Sequence, residues 1–98
     1  MTFLKALWHH SNAQDPVVLY SDLDADRFEH RKVEVWSDGR MGFAGPLGSA
    51  ESTMLGEVAV PSLEEINADR EFEATEIGAL EFETVWRSAT ADASEEAG

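Results

Sequence analysis

The segment Ser37-Asp38-Gly39-Arg40 constrains this chain more than any other, because Asp-Gly supplies the positive φ that a tight hairpin demands. A hairpin there makes residues 28–36, ending in Val33, Val35 and Trp36, the antiparallel neighbour of a short strand from Met41 to Ala44. Upstream, residues 3–10 alternate, with Leu4, Ala6 and Trp8 on one side and Phe3, Lys5 and Leu7 on the other. Pro16 opens a further strand in which Val17, Leu19 and Leu23 oppose Val18, Tyr20, Asp22 and Asp24. The turn Asp24-Ala25-Asp26 leads back into 28–36. Parity then predicts the register: odd opposite odd aligns Val17 and Leu19 with Val35 and Val33, whereas a slip by one would bury Lys32 and Glu34. In the predicted register Tyr20, Asp22, His30 and Lys32 share an outer face. Arg27, Glu29 and Arg31 fall at the sheet margin, as an ion-pair edge or an anion-binding rim.

The second half reads as loop, then helices. Residues 45–53 (GPLGSAEST) predict a mobile loop, and residues 54–60 an extended segment ended by Pro61. Ser62 and Glu65 have capping-box spacing, which starts a short helix running to about Ala68. Phe82, Val85, Trp86 and Ala89 lie at i, i+3, i+4 and i+7, the buried stripe of a second helix with Glu76, Glu81 and Glu83 toward its start. The expected architecture is a single α+β domain over residues 1–87. It has an antiparallel sheet of about four strands, a short helix, and a C-terminal helix packed on one face; residues 88–98 form a disordered acidic tail. Leu4, Trp8, Val17, Leu19, Val33, Val35, Phe82, Val85 and Trp86 are expected to share one core.

Charge narrows the choice of partner. Lys and Arg number 7 against 20 Asp and Glu, a net −13. Residues 1–49 hold 5 basic and 7 acidic side chains (−2), and residues 50–98 hold 2 and 13 (−11). A field of this sign repels nucleic acid and anionic lipid, so neither is expected as a partner. The chain has no cysteine, which removes thiol catalysis and thiolate metal sites. No apolar run approaches the ~20 residues of a membrane span, and MTFLKALWHHS lacks the pattern of a signal peptide, so a cytoplasmic setting is expected.

Motifs for chemistry fail on inspection. His9 and His10 point to opposite sides of a strand and cannot easily grip one metal ion. Asp22-Leu23-Asp24-Ala25-Asp26 opens like a calcium loop, but Arg27 replaces the sixth-position Gly and Val33 the twelfth-position Glu. Gly45-Pro46-Leu47-Gly48-Ser49 lacks the lysine of a phosphate loop, and no Gly-x-Ser-x-Gly elbow exists. No catalytic residue, metal site or cofactor is assigned.

The run Val18-Leu19-Tyr20-Ser21-Asp22-Leu23-Asp24, then Arg27, Glu29 and Arg31-Lys32-Val33-Glu34, Asp38-Gly39, Met54-Leu55-Gly56-Glu57, Pro61-Ser62-Leu63-Glu64-Glu65-Ile66 and Glu81-Phe82-Glu83 with Trp86, resembles a family of small bacterial proteins. That family is catalogued as domain of unknown function number six-eight-eight-one. The resemblance covers about residues 3–87 in one colinear order and implies a stand-alone bacterial domain with no assigned activity. Members carry Ser or Thr where this chain has Gly78, a weaker but tolerable cap.

Two uses follow. The first is a non-catalytic module, in the manner of an immunity protein or antitoxin, docking a basic protein through Glu64, Glu65, Asp69, Glu71, Glu73, Glu76, Glu81 and Glu83. The second is a small-molecule binder or enzyme using Tyr20, Asp22, His30 and Lys32 on the outer sheet face.

Overall fold

A computed structural model describes residues 1–46, 48–51 and 53–97, with side chains described as far as Ala91. The chain is α+β. Its elements in order are β1 (Thr2–Trp8), β2 (Val18–Leu23), β3 (Glu29–Val35), β4 (Met41–Gly45), β5 (Gly48–Ala50), α1 (Leu63–Asn67), β6 (Phe72–Ile77) and α2 (Ala79–Ala97). Among the described residues the six strands form one antiparallel sheet in the order β5-β4-β3-β2-β1-β6.

The sheet therefore has two more strands than the expected four. β5 falls in the segment predicted as a mobile loop, where Gly45 pairs with Gly48 and Phe43 with Ala50; Leu47 and Ser52 of that segment lie outside the described residues. β6 takes residues predicted to lead into the last helix, so Glu76 sits on a strand and not in the first turn of α2. It joins the far edge by pairing with β1, Leu4 opposite Glu76 and Ala6 opposite Ala74. Residues 54–60, expected to be extended, form no strand.

Both hairpins around β3 close through three-residue loops. Trp36 N–H donates to Arg40 O, Gly39 N–H donates to Trp36 O, and Gly39 has φ +90, the left-handed residue such a loop requires. The β2–β3 loop repeats this pattern, with Asp24 N–H donating to Phe28 O and Arg27 N–H to Asp24 O. Here the positive φ (68) belongs to Arg27, and the Asp24 carboxylate accepts the Asp26 and Phe28 amides. Asp24 thus ties the turn that it opens.

Beyond the loop the register is the slipped one. Val18 pairs with Val35, Leu19 with Glu34, Tyr20 with Val33 and Ser21 with Lys32, with a bulge at Asp22/Leu23. The odd-on-odd alignment, which the loop itself begins by setting Leu23 opposite Glu29, is overturned because the extra residue at the bulge shifts every pair beyond it by one. Both faces are also covered, so a half-buried Lys32 or Glu34 can find partners. Thr53, 1% exposed, donates its hydroxyl to Glu34.

In consequence the single predicted core is two half-cores. Val33, Phe43 and Phe82 lie on the face covered by α2, where the Phe82 ring packs on Phe3 and stacks near Trp86, and Trp86 meets Phe43 edge-on. A side chain at Gly45 would meet the Trp86 ring at 2.9 Å, so β4 needs glycine there to receive the helix. Leu4, Trp8 and Leu19 belong to the opposite face with Phe72 and Ala74. Helix α1 packs beside β6.

The capped start of α1 is as expected: Ser62 accepts from the Glu65 amide, and the helix ends at Asn67. α2 begins after Gly78, whose carbonyl accepts from the Phe82 amide. It does not stop at Arg87. Residues 88–91, placed by the sequence reading in the disordered tail, are helical, with Ser88 and Thr90 hydroxyls donating to Thr84 and Trp86 carbonyls. The outer edge of β6 is shielded locally: the Asn67 carboxamide donates to Ala74 O and accepts from Ala74 N–H, and Phe72 N–H is taken by Asp69 O. A side chain thereby occupies the edge positions at which another strand would pair.

Candidate functional site

Two polar clusters flank the sheet. Under α2, Arg31 donates its Nε–H to Asp22 Oδ2 at 2.7 Å and both terminal nitrogens to Glu83, at 2.8 and 2.7 Å. Its guanidinium carbon lies 4.9 Å from the Phe82 ring centre and 5.2 Å from that of Trp86. Hydrogen bonds from Arg31 hold the Glu83 carboxyl below its ordinary range, against a smaller opposing effect of burial. Asp22 is 1% exposed, and its second oxygen has no hydrogen-bond partner among the described residues. This cluster joins helix to sheet, with the Arg31 guanidinium against two aromatic rings; it is a structural bond.

The opposite face carries a cavity of about 400 Å³. Its floor is the sheet, with Leu4, Leu19 and Phe72; one wall is α1 through Ile66, and another is Val60-Pro61 from the strap between β5 and α1. Arg27 places that strap. Its Nε–H donates to Val60 O at 2.8 Å and its Nη2 to Pro61 O at 2.6 Å, while Val60 N–H donates to Arg27 O. A left-handed arginine costs roughly 1–2 kcal/mol of backbone preference, offset here by three bonds to the strap. Further along, Gly56 N–H donates to Glu29 Oε1 at 2.6 Å.

The polar end of the cavity comes from Ser21, Glu29 and Lys32. Ser21 donates its hydroxyl to Glu29 Oε2 at 3.3 Å, and Lys32 Nζ lies 3.5 Å from Glu29 Oε1 and from Met54 O. The side chains of Glu29 and Lys32 are 7% and 19% exposed, so the pair is largely shielded from water. The slipped register creates the group: β2 Ser21 pairs with β3 Lys32, and the bulge returns Glu29 to the same face.

The residues assigned to an outer ligand face do not come together. Tyr20 lies opposite Val33 on the α2 side, Asp22 is bound to Arg31 there, Lys32 points into the cavity on the other side, and His30 is exposed at the bulge. A one-residue change of register is enough to separate them, since neighbours on a strand face opposite ways. The margin set Arg27, Glu29 and Arg31 is divided too: Arg27 holds the strap, Glu29 the polar end of the cavity, and Arg31 the underside of α2.

The acidic set is likewise split. Glu64 and Glu65 stand on α1 and Asp69 and Glu71 in the turn after it, all exposed. Glu73 and Glu76 are on β6, with Glu73 3.1 Å from His9. Glu81 and Glu83 are on α2, across the sheet, and Glu83 is occupied by Arg31. One continuous helical face is thus replaced by a patch of four carboxylates on the cavity side and scattered residues elsewhere. Of the histidines, His10 Nε2 lies 2.7 Å from Pro16 O and its Nδ1 accepts from the Asn12 amide. Among the described residues no group of three His, Cys, Asp or Glu side chains could hold a metal ion, and no helix is long and apolar enough to cross a membrane.

Sequence reasoning missed the cavity. Its signals were the alternation Phe72-Ala74-Glu76 of an edge strand and an arginine at the left-handed position of the β2–β3 turn.

Fold and site define a small antiparallel α+β domain that carries helix α2 on one face and a ligand-sized cavity on the other. The family model described as Domain of unknown function (DUF6881) matches residues 2–91, and the chain belongs to that family. No curated protein and no solved structure matches it.

Proposed function

We propose that the protein is a non-catalytic binding module whose ligand occupies the cavity between the sheet, α1 and the strap. One observation carries this reading: a cavity of about 400 Å³, within the ordinary range for small-ligand sites, has a mainly apolar lining with a convergent Ser21-Glu29-Lys32 group and the carboxylates Glu65 and Asp69. This replaces the outer-face ligand site and keeps Lys32 within it. The test uses the neutral fluorophore N-phenyl-1-naphthylamine, whose emission rises in apolar sites. The wild type should enhance it saturably, and Ala74→Leu, which fills the cavity from the sheet side, should abolish the enhancement while remaining folded by circular dichroism. No saturable signal from the wild type, or an unchanged signal from the filled variant, would reject the cavity as a site.

A second reading is favoured by the exposed carboxylates Glu64, Glu65, Asp69 and Glu71: docking of a basic protein, immunity- or antitoxin-like, on the cavity side. Such docking would weaken steeply with salt. Changing those four to lysine should abolish low-salt capture of a basic partner from the native host with the melting temperature nearly unchanged. Glu83 is left out because a lysine there would face Arg31. Capture of the same partner by the reversed variant would count against docking.

A further inference from the structure

The charges around the cavity are unequal from one end to the other. At the inner end Lys32 and Glu29 face each other at 3.5 Å, and the remaining acceptors of Glu29 are taken by the Ser21 hydroxyl and the Gly56 amide. That end is neutral and supplied with its own hydrogen bonds; it offers an incoming anion no free cation. The rim differs. Glu65 and Asp69 line the cavity and are exposed, and neither has a basic side chain within ion-pair distance among the described residues. Their local contacts, Ser62 for Glu65 and the Glu71 amide for Asp69, leave both carboxylates exposed to solvent.

A ligand that fits both ends has an apolar body and a positive head. From this complementarity, which rests on the cavity reading above, we propose that the cavity takes an apolar monocation, a small alkyl- or arylalkyl-ammonium compound. Its hydrocarbon lies against Leu4, Leu19, Ile66 and Phe72, and its ammonium sits at the mouth between Glu65 and Asp69. Burial of the body supplies most of the affinity, because removing apolar area from water is the main favourable term in such association. The two rim carboxylates supply selectivity. Each exposed ion pair is worth little by itself, and two acting on one head group amount to about a five- to tenfold preference. The −11 of the second half of the chain adds a longer-range field of the same sign, which screens away with salt.

Three probes with one hydrocarbon body separate the possibilities: 4-phenylbutylamine, 4-phenylbutanol and 4-phenylbutyrate, titrated calorimetrically and by displacement of N-phenyl-1-naphthylamine. The amine should bind about five- to tenfold more tightly than the alcohol at low salt, and the carboxylate more weakly than both. Glu65→Gln with Asp69→Asn should bring the amine down to the level of the alcohol and leave the alcohol unchanged, a result that global unfolding could not produce. If amine and alcohol bind equally, or the carboxylate binds best, the cationic class is overturned while the cavity stands as a ligand site. If none of the three binds and the fluorophore is not enhanced, the cavity reading falls with it.

Discussion

Arg31→Met is expected to cost about 3–5 kcal/mol of stability, because it strands the carboxylate of Asp22, 1% exposed, beneath α2. Methionine keeps much of the stem that lies against Phe82 and Trp86, so the loss reports charge and hydrogen bonding more than volume. The measurement is the urea midpoint at constant slope. Changing Asp22→Leu in the same chain should restore most of the loss, since an apolar pair of similar volume avoids the desolvation of two charges. A single-variant loss under about 1 kcal/mol would mean that Asp22 does not depend on Arg31. Glu83 adds a pH dependence. Its folded pKa lies below the unfolded one through hydrogen bonding from Arg31. Its contribution is therefore complete above the ordinary carboxylate pKa and is lost as pH falls through the depressed value. Glu83→Gln should be less stable than wild type at neutral pH, and the gap should narrow as the solution is acidified. A gap that stays constant down to strongly acid pH would show that the Arg31 contact contributes nothing to folding.

Phe82→Ala is expected to cost about 3–5 kcal/mol, a large part of the roughly 5–10 kcal/mol available to a domain of this size. Phe82 has no exposed surface, and its ring meets Phe3 from β1, Trp86 from its own helix and Arg31 from β3. Trp86→Ala should fall in a similar range, because it vacates the space above Gly45 and Phe43. Thermal melts monitored by circular dichroism check both. Melting within a degree or two of wild type for either variant would show that α2 does not hold to the sheet. The N-phenyl-1-naphthylamine site, on the other face, should survive in whatever fraction of Trp86→Ala remains folded.

Three parts of the structure were legible in the chain because each depends on residues close in sequence. Gly39 takes the left-handed turn that Asp38-Gly39 announces, Ser62 caps α1, and the stripe of Phe82, Val85 and Trp86 marks α2. In each case backbone geometry or helical period acts within a few residues, and no distant partner is needed to decide the outcome. β6 was not legible for the converse reason. Phe72-Glu73-Ala74-Thr75-Glu76-Ile77 is a half-polar edge strand, and only β1 and the Asn67 carboxamide make it one.

The candidate site was decided almost wholly by tertiary structure. By itself the sequence determined that β2 and β3 form a hairpin, that short and C-terminal helices follow, and that negative charge gathers in the second half. It did not determine which side of the sheet each residue would face. That choice turned on a single residue of register, set by the bulge at Asp22/Leu23 just beyond the β2–β3 loop. Apolar matching would have placed Val33 and Val35 against Val17 and Leu19, but it assumes that a strand has one buried face. Here α2 covers one face and α1 with the strap covers the other, so Lys32 and Glu29 can be shielded as a pair. Side-chain parity is a local property, whereas the existence of a second covering layer is a property of the whole chain. For that reason the turns and helices could be read from the sequence, while the cavity existed only once both layers had closed over the sheet.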